Sequence, residues 1–430
     1  MLFENIDILD SDFNCVRGCF VGTRGNKIEY VGSKRPDGNW GDKYDGRGKL
    51  LMPGLFNAHG HAMMTLLRGY AENLPLQRWL QEMVWPFEAK ISYESALPAS
   101  RLAIAEMLRF GTVSYSDMYV HDEARVQAVL ESGIKCNMSH GVLAFDPDVE
   151  YADMPDYAAV CKLIDEANGA GNGKIKVEIG PHAEYDTVEK AIRGMAEQAQ
   201  ELGLGIQVHV SETKSEHEEC KERHGGLTPI AYLEKLGVLD SPTTAAHCVW
   251  ATDEDLQILK EHDATIATCP ASNLKLGSGV PDMKRFVESG ANVAIGTDGA
   301  SSNNALNMFR DMYLSAIAHK GALQDPVGIG AREVLRAATV GGAHAQRRDD
   351  SGAIEVGKRA DLIVLDEDLP WMLPVSDMAC NVVYAANGSE VVLTMVDGEV
   401  LYDNGEYPTI DVERAMRETQ LARDSIVASL

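Results

Sequence analysis

Short apolar blocks alternate with stretches of helical periodicity through most of the chain. Between about residue 50 and residue 345, a strand pattern, a loop and an amphipathic helix follow one another repeatedly. Helical stretches include 102–108, 188–199 and 281–289. The predicted strands lie at 50–56, 112–116, 134–138, 175–179, 206–210, 243–246, 265–268 and 292–295. Eight parallel strands that alternate with helices predict an α/β fold, the (β/α)8 TIM barrel.

Both ends of the chain instead show short strands broken by glycine and aspartate. The clearest lie at 20–22, 27–32, 360–365 and 391–396. Turns are predicted at Gly25-Asn26 and Asp397-Gly398, and residues 411–430 have the pattern of a charged helix. We expect the two ends to pair into a small β-sandwich domain beside the barrel. The predicted division is 1–53 for its first part, 54–348 for the barrel, and 349–430 for its second part with the C-terminal helix.

Composition narrows the classes of partner. The chain has 430 residues, of which 39 are basic and 65 acidic, giving a net charge of -26. This charge argues against a nucleic-acid partner, because binding to phosphates needs clustered lysine and arginine. The expected partner is a small-molecule substrate. No stretch approaches the roughly 20 apolar residues that span a bilayer, and no signal peptide is recognisable. The 8 cysteines form no Cys-x-x-Cys pair, which fits reduced thiols in a cytoplasmic protein.

A pair of histidines, His59 and His61, follows the first predicted strand. Because side chains of an extended backbone repeat with a period of two, both imidazoles face the same way and can reach one metal ion. Taken alone, the pair is explained equally well as two polar residues leaving a strand for a turn. The interpretation depends on whether other strand ends supply further ligands.

Other strand ends do carry such residues. His182 follows the fourth predicted strand, His209 lies in the fifth, His247 follows the sixth and Asp298 follows the eighth. Singly, His209 and His247 are more often hydrogen-bonded core histidines, and Asp298 is often a turn residue. Three imidazoles and a carboxylate at one barrel mouth suit a divalent ion, with Zn²⁺ the first choice and Fe²⁺ or Mn²⁺ as alternatives. A catalytic zinc lowers the pKa of its bound water to about 7.

These motifs resemble those of the amidohydrolase superfamily, and within it the 5-methylthioadenosine and S-adenosylhomocysteine deaminases. The resembling stretches are 52–61, 67–69, 85–88, 180–182, 209–213, 246–248, 270–277, 296–304 and 405–411. The resemblance covers essentially the whole chain. It implies hydrolytic deamination of an adenosine-like nucleoside to the inosine analogue and ammonia, one Zn²⁺ per subunit, and a homodimer or homotetramer.

The resemblance also implies a role for each residue of the centre. The metal ligands it implies are His59, His61, His209 and Asp298. His247 orients the water or stabilises the attacking oxygen, and Asp298 passes the water's proton to the leaving ammonia. Glu212 is the proton shuttle, since attack on an aromatic amidine places negative charge on the adjacent ring nitrogen. Read from the sequence alone, Glu212 is also explained as a solvated loop acid, like the nearby acids at 216, 218 and 219.

Two further residues are predicted to bind the substrate. The resemblance implies that Glu88 hydrogen-bonds the ribose hydroxyls and that His182 contacts the nucleoside. A carboxylate suits a vicinal diol because both hydroxyls can donate to it. The alternative for Glu88 is an exposed acid at the start of a helix. Trp79 and Trp85 are candidate walls of the base pocket, although single aromatic residues are more often part of the core.

The loop after the third predicted strand departs from the resembling family. Deaminases that accept S-adenosylhomocysteine place arginines there to hold the amino-acid carboxylate. Here residues 145–155 are acidic and contain no arginine, and His140 stands where an arginine is expected, which makes it a candidate substrate-binding residue. An acidic loop repels a carboxylate. We therefore expect 5-methylthioadenosine, 5-deoxyadenosine or adenosine to be preferred over S-adenosylhomocysteine.

Two alternative functions remain open at this stage. A guanine or pterin deaminase or a triazine hydrolase would use the same mononuclear zinc site. More remotely, the chain would be a non-catalytic amidohydrolase-like scaffold, although the full set of ligands and acids argues against this. The sequence contains no cytidine-deaminase zinc motif, no glycine-rich phosphate loop and no Gly-x-Ser-x-Gly elbow.

Overall fold

A nearly closed ring of eight parallel strands forms the centre of the computed structural model, which describes residues 1–430. The barrel strands are Leu55–Asn57, Thr112–Tyr119, Lys135–Val142, Ile175–Pro181, Gly205–Val210, Thr243–His247, Thr265–Thr268 and Asn292–Ile295. Each strand pairs with the next along the chain. Between the eighth and first strands, Ala58 N–H donates to the Ile295 carbonyl at 2.9 Å, and Asp298 N–H to the His59 carbonyl at 3.0 Å. The predicted TIM barrel is confirmed.

Helices surround the barrel. Those of six or more residues with regular α geometry are Tyr93–Arg109, Asp122–Ser132, Pro155–Ala167, Glu189–Leu202, Lys214–Arg223, Pro229–Lys235, Asp253–Glu261, Pro270–Lys275, Met283–Ser289, Met308–Leu323, Ala331–Arg336 and Val412–Ala428. Short or irregular turns lie at Ala62–Leu67, Leu76–Arg78, Trp79–Val84, Trp85–Glu88, Tyr151–Asp153, Ala170–Gly173, Val238–Asp240, Ala337–Gly341, Gly342–Ala345, Pro370–Met372, Met378–Cys380 and Asn381–Ala385. None of these helices combines the length and the apolar character needed to cross a bilayer.

The first predicted strand, 50–56, is divided between the two sheets. Lys49–Pro53 pairs with strands of the terminal sheet, and only Leu55–Asn57 enters the barrel. Gly54 lies between the two sheets, where a Cβ atom would collide with Val113. The absence of a side chain at Gly54 therefore allows one apolar run to serve two sheets.

Eight strands drawn from both ends of the chain form the terminal sheet. They are Leu2–Leu9, Cys15–Arg24, Lys27–Gly32, Lys43–Asp45, Lys49–Pro53, Leu362–Asp366, Val391–Val396 and Glu399–Asp403. The turn at Asp397-Gly398 has φ of 50° and 79°, the two positive values of a tight hairpin turn. One face of the sheet joins the barrel core, and the other encloses an apolar cluster of 13 buried residues. The predicted small domain built by both termini is confirmed.

Residues 62–91, here named the cap segment, lie over the mouth of the barrel. They consist of short turns and supply most of an apolar cluster of 16 buried residues. The C-terminal helix Val412–Ala428 packs against the helix Tyr93–Arg109 and adds Ile426 to this cluster. The cap segment therefore has its own apolar support, which positions the residues that it presents to the mouth.

Candidate active site

Four predicted metal ligands meet at the carboxyl ends of the barrel strands. The ligand atoms of His59, His61 and His209 all lie within 4.8 Å of one another, and the three residues are buried. His61 Nε2 is 3.3 Å from His209 Nε2, and Asp298 Oδ1 is 3.2 Å from His61 Nε2 and 3.7 Å from His59 Nε2. A short parallel pair, Gly60–His61 beside Asp298–Gly299, sets this arrangement.

The hydrogen bonds of the three imidazoles leave their Nε2 atoms free for a cation. Nδ1 of His61 lies 2.5 Å from the Met118 carbonyl, and Nδ1 of His209 lies 2.9 Å from the carbonyl of His182. Nδ1 of His59 faces Gln207 Oε1 at 2.7 Å. Oxygen acceptors place the proton on Nδ1 and the lone pair on Nε2.

Two further observations test the fit of a metal ion. His59 Nε2 is buried and has no hydrogen-bond partner. Burial lowers the pKa of His59 to about 3, with the neighbouring His61 acting in the same direction, so its imidazole is neutral. Imidazole Nε2 atoms that converge beside one carboxylate are a ligand set that suits a zinc ion. The side chains present therefore fit the predicted Zn²⁺.

Asp298 is held as an anion. Burial favours its neutral form, but the adjacent His61 outweighs burial and holds the pKa of Asp298 well below its ordinary range. Its Oδ2 accepts hydrogen bonds from Ser272 Oγ at 2.6 Å and from Ser302 Oγ at 2.8 Å. Oδ1 is thereby left to face the histidines. The backbone φ of Asp298 is 60°, in the left-handed region that few residues other than glycine adopt.

Glu212 lies beside the cluster without joining it. Its Oε1 accepts a hydrogen bond from Ser278 Oγ at 2.9 Å, and its Oε2 is 3.8 Å from His247 Nε2. The carboxylate of Glu216 accepts hydrogen bonds from the backbone N–H groups of residues 211, 212 and 213. This buried brace fixes the loop that carries Glu212.

His247 is the last residue of the sixth barrel strand and has a positive φ of 76°. The Asn273 side-chain amide nitrogen lies 2.9 Å from its Nδ1. In this contact Asn273 donates to Nδ1, so the proton of the neutral imidazole resides on Nε2. The Nε2–H group is the one that faces Glu212 and the mouth.

A cavity opens directly above the metal ligands at the mouth of the barrel. Of its 20 lining residues, 12 are hydrophobic and none is lysine or arginine. Trp79 and Trp85 of the cap segment both line it, together with Glu88, His182 and Glu212. The cavity is therefore an apolar chamber with a few acidic and imidazole groups.

The two predicted substrate-binding residues lie on this cavity wall. Glu88 accepts a hydrogen bond from the Tyr119 hydroxyl, and burial raises the pKa of its carboxyl. His182 Nδ1 is held by Asp186 Oδ2 at 2.7 Å, which leaves Nε2 available. Both residues thus present a fixed polar group to whatever occupies the chamber.

The structure does not bring His140 into this site. The third barrel strand continues to Val142, and alternate residues face opposite sides, so Gly141 lines the cavity while His140 faces the outer helices. Its ring nitrogens bind Asp122 Oδ2 at 2.8 Å and Asp156 Oδ1 at 3.2 Å. With both nitrogens engaged, His140 has no group left for a substrate, and the expectation for this residue is corrected.

His140 instead makes stability depend on pH. Burial lowers the pKa of His140, but the two aspartates outweigh it and raise the pKa from 6.5 to about 9. A raised pKa stabilises the folded state fully below pH 6.5, and this contribution is lost as the pH rises to about 9. We expect the free energy of unfolding in urea to fall between pH 6.5 and pH 9 in the wild type. In His140→Asn this fall should be smaller by up to about 3 kcal/mol. His344→Asn, at a more exposed histidine, is the control and should show the same pH dependence of the unfolding free energy as the wild type. A pH dependence in His140→Asn equal to that of the wild type would contradict the role assigned to His140.

Several residues that support the site were not predicted from the sequence. Gln207 supports His59, Ser278 holds Glu212, Asn273 holds His247, and Tyr119 binds Glu88. Asn273 falls within the resembling stretch 270–277, which was a usable signal. Tyr119 was missed because the second strand, predicted to end at residue 116, continues to residue 119.

A (β/α)8 barrel that gathers three histidines and an aspartate at the carboxyl ends of its strands is the scaffold of a metal-dependent hydrolase. The chain belongs to the Amidohydrolase family, whose sequence model matches residues 50–401. The predicted superfamily is therefore confirmed.

Individual relatives match over nearly their whole length. A 5-methylthioadenosine/S-adenosylhomocysteine deaminase from Moorella thermoacetica is 41% identical over 397 residues, covering 91% of this chain and 92% of that protein. A 5′-deoxyadenosine deaminase from Methanosarcina acetivorans is 37% identical over 421 residues, covering 98% and 96%. The crystal structure of an adenosine deaminase from Xanthomonas campestris with bound zinc superimposes with a TM-score of 0.91 at 29% identity, covering 99% and 98%.

Proposed function

We propose that the protein is a zinc-dependent aminohydrolase that converts adenosine-like nucleosides to the inosine analogue and ammonia. The observation that carries the proposal is the position of Glu212, beside the metal ligands yet outside their set, in a chamber with Glu88 on its wall. One carboxyl is thereby available for proton transfer and another for a hydroxyl-bearing sugar. The names of the relatives from Moorella thermoacetica and Methanosarcina acetivorans support the same class of substrate.

The proposed roles follow from the contacts of each side chain. His59, His61, His209 and Asp298 hold the zinc ion, which when bound supplies a Lewis acid that makes water nucleophilic at neutral pH. Asp298 accepts the proton of the attacking water and returns it to the leaving ammonia. Glu212, oriented by Ser278, protonates the ring nitrogen next to the attacked carbon. His247 donates from Nε2 to the attacking oxygen, since Asn273 occupies its Nδ1.

We further propose that the preferred substrates carry a neutral 5′ group. Glu88, braced by Tyr119, accepts hydrogen bonds from the ribose hydroxyls, and His182 contacts the nucleoside. The chamber wall offers apolar side chains and no lysine or arginine to an amino-acid carboxylate. These features favour 5-methylthioadenosine, 5′-deoxyadenosine and adenosine over S-adenosylhomocysteine.

Ammonia release from a panel of compounds tests the function. The zinc-loaded protein is expected to deaminate 5-methylthioadenosine, 5′-deoxyadenosine and adenosine. It should act more slowly on S-adenosylhomocysteine and leave guanine, pterins and triazines unchanged. Turnover of a free base together with no turnover of any adenosine analogue would overturn the proposal in favour of the guanine, pterin or triazine alternative.

Glu88→Gln tests the ribose contact. A hydrogen bond to a charged group contributes about 1.5–3 kcal/mol, so kcat/KM for the nucleosides should fall about 10- to 100-fold. The matched control is Glu82→Gln, an acid of the same cap segment that is 49% exposed and paired with Arg78. Unchanged nucleoside kinetics in Glu88→Gln would show that this carboxylate does not hold the sugar.

The complete ligand set and both acids are present in this chain, which argues against the alternative of a non-catalytic scaffold. The homodimeric or homotetrameric state and the cytoplasmic location stay predictions. The division of the chain at 1–53, 54–348 and 349–430 is likewise a proposal.

A further inference from the structure

A second group of metal-ligating side chains lies outside the catalytic centre. Glu184, Cys220 and His224 place a carboxylate oxygen, a thiol sulfur and an imidazole nitrogen within 4.8 Å of one another. Glu184 follows the fourth barrel strand, Cys220 lies in the last turn of the helix Lys214–Arg223, and His224 caps that helix. The spacing of four residues places the thiol and the imidazole on one helix face.

One oxygen of Glu184 is buried without a partner. The Glu184 side chain is 0% exposed, and its Oε1 accepts a hydrogen bond from Arg223 Nη2 at 2.5 Å. Its Oε2 makes no hydrogen bond and lies 3.4 Å from His224 Nε2. A buried, unpartnered carboxylate oxygen is costly, and its placement against two other ligand types points to a cation between them.

Cys220 and His224 are both available as ligands for a metal ion. Cys220 is buried and forms no disulfide. Burial raises the pKa of its thiol, so the sulfur keeps its proton until a cation displaces it. Burial also lowers the pKa of His224, with Arg223 acting in the same direction, so its imidazole is neutral. The His224 ring stacks on Tyr232 with centroids 3.6 Å apart, which fixes its orientation.

We propose that Glu184, Cys220 and His224 form a second zinc site, separate from the catalytic one. Mixed sulfur, nitrogen and oxygen donors suit Zn²⁺, and three protein ligands leave its fourth position to water. The His224 side chain is 23% exposed, which gives the ion and that water a path from solvent. Binding releases the thiol proton to solvent, and the thiolate and carboxylate together balance the charge of the ion. Arg223 keeps its contact with the other oxygen of Glu184.

An ion bound at this place would connect two segments that line the active-site cavity. Glu184 lies two residues beyond His182, and the helix that carries Cys220 begins two residues beyond Glu212. The ion would tie together the two segments that present these residues to the cavity. The ligands themselves do not contribute to the catalytic cavity, so the site is testable without reference to turnover.

Metal stoichiometry and cobalt absorption of the full chain test the proposal. The wild-type protein should bind two equivalents of Zn²⁺, and Cys220→Ser and His224→Gln should each bind one. The Co²⁺-loaded wild type should show near-ultraviolet thiolate-to-cobalt charge-transfer absorption. The catalytic ligands include no sulfur, so this absorption reports on the second site alone.

Control variants separate the two sites. Cys380→Ser, at a half-buried free cysteine elsewhere, should keep both equivalents and the absorption. His61→Ala should lose the catalytic equivalent and keep the absorption. If Cys220→Ser fails to fold, His224→Gln, at a partly exposed ring, carries the test. One equivalent and no charge-transfer absorption in the wild type, or absorption that survives Cys220→Ser, would overturn the proposal.

Discussion

Glu212→Gln is expected to abolish nearly all deamination while the catalytic zinc remains bound. Glutamine preserves the size of the side chain and its oxygen for Ser278, but it has no acidic proton for the ring nitrogen. Positioned acid–base groups typically contribute 10²- to 10⁴-fold, and kcat should fall by about that factor. The metal content should stay at the wild-type value, because Glu212 lies outside the ligand set.

The measurement combines kcat for ammonia release with metal analysis of the same sample. Glu218→Gln is the matched control, since Glu218 lies in the helix that follows and its side chain is 53% exposed. The control should retain wild-type kcat and metal content. Activity of Glu212→Gln within a few fold of the wild type would show that another group delivers the proton.

His209→Ala is expected to remove the catalytic zinc and the activity together. The substitution deletes one of four ligands, and the loss of affinity should exceed the roughly 10- to 100-fold effect of removing a residue that only supports a ligand. Equilibrium dialysis against buffered Zn²⁺ measures the affinity, and ammonia release measures the activity. His262→Ala, remote from the mouth and bonded to Leu239 and Glu234, should change neither. Wild-type affinity in His209→Ala would contradict its assignment as a ligand.

The centre of the site was predictable because barrel geometry leaves little freedom at strand ends. Parallel strands place their carboxyl ends at one mouth, so the histidines and the aspartate at the strand ends were expected to approach one another. The resemblance to the family then selected His59, His61, His209 and Asp298 from them as ligands. The alternation of side chains along a strand gave the common direction of His59 and His61.

The same alternation explains the error at His140. The third strand was predicted to end at residue 138, and it continues through Val142. Extending a strand assigns each added residue to one face, and His140 falls on the face opposite the cavity. Neither end of a strand is reliably marked in sequence by its own residues, because pairing with the next strand decides where it stops.

Other parts of the site depend on contacts between distant segments. Ser278 reaches Glu212 across 66 residues, and Gln207 reaches His59 across 148. No local pattern distinguishes these side chains from ordinary polar residues, since their roles arise from packing. The roles of Glu88 and His182 rest on their places in the cavity wall and on the resemblance, and they stay predictions until the variants are measured.

The join between the eighth and first barrel strands bears on how the protein fails when heated. These two strands share no continuous ladder. They are joined by the backbone hydrogen bonds of Ala58 and Asp298, by hydrogen bonds between Asn57 and Thr297, and by the short pair Gly60–His61 with Asp298–Gly299. His59 and His61 lie on one side of this seam, and Asp298 lies on the other. A local opening that parts the seam pulls the ligand set apart while the rest of the ring stays folded. We therefore expect the loss of activity on heating to follow local opening of this seam and to occur below the temperature at which the barrel unfolds cooperatively.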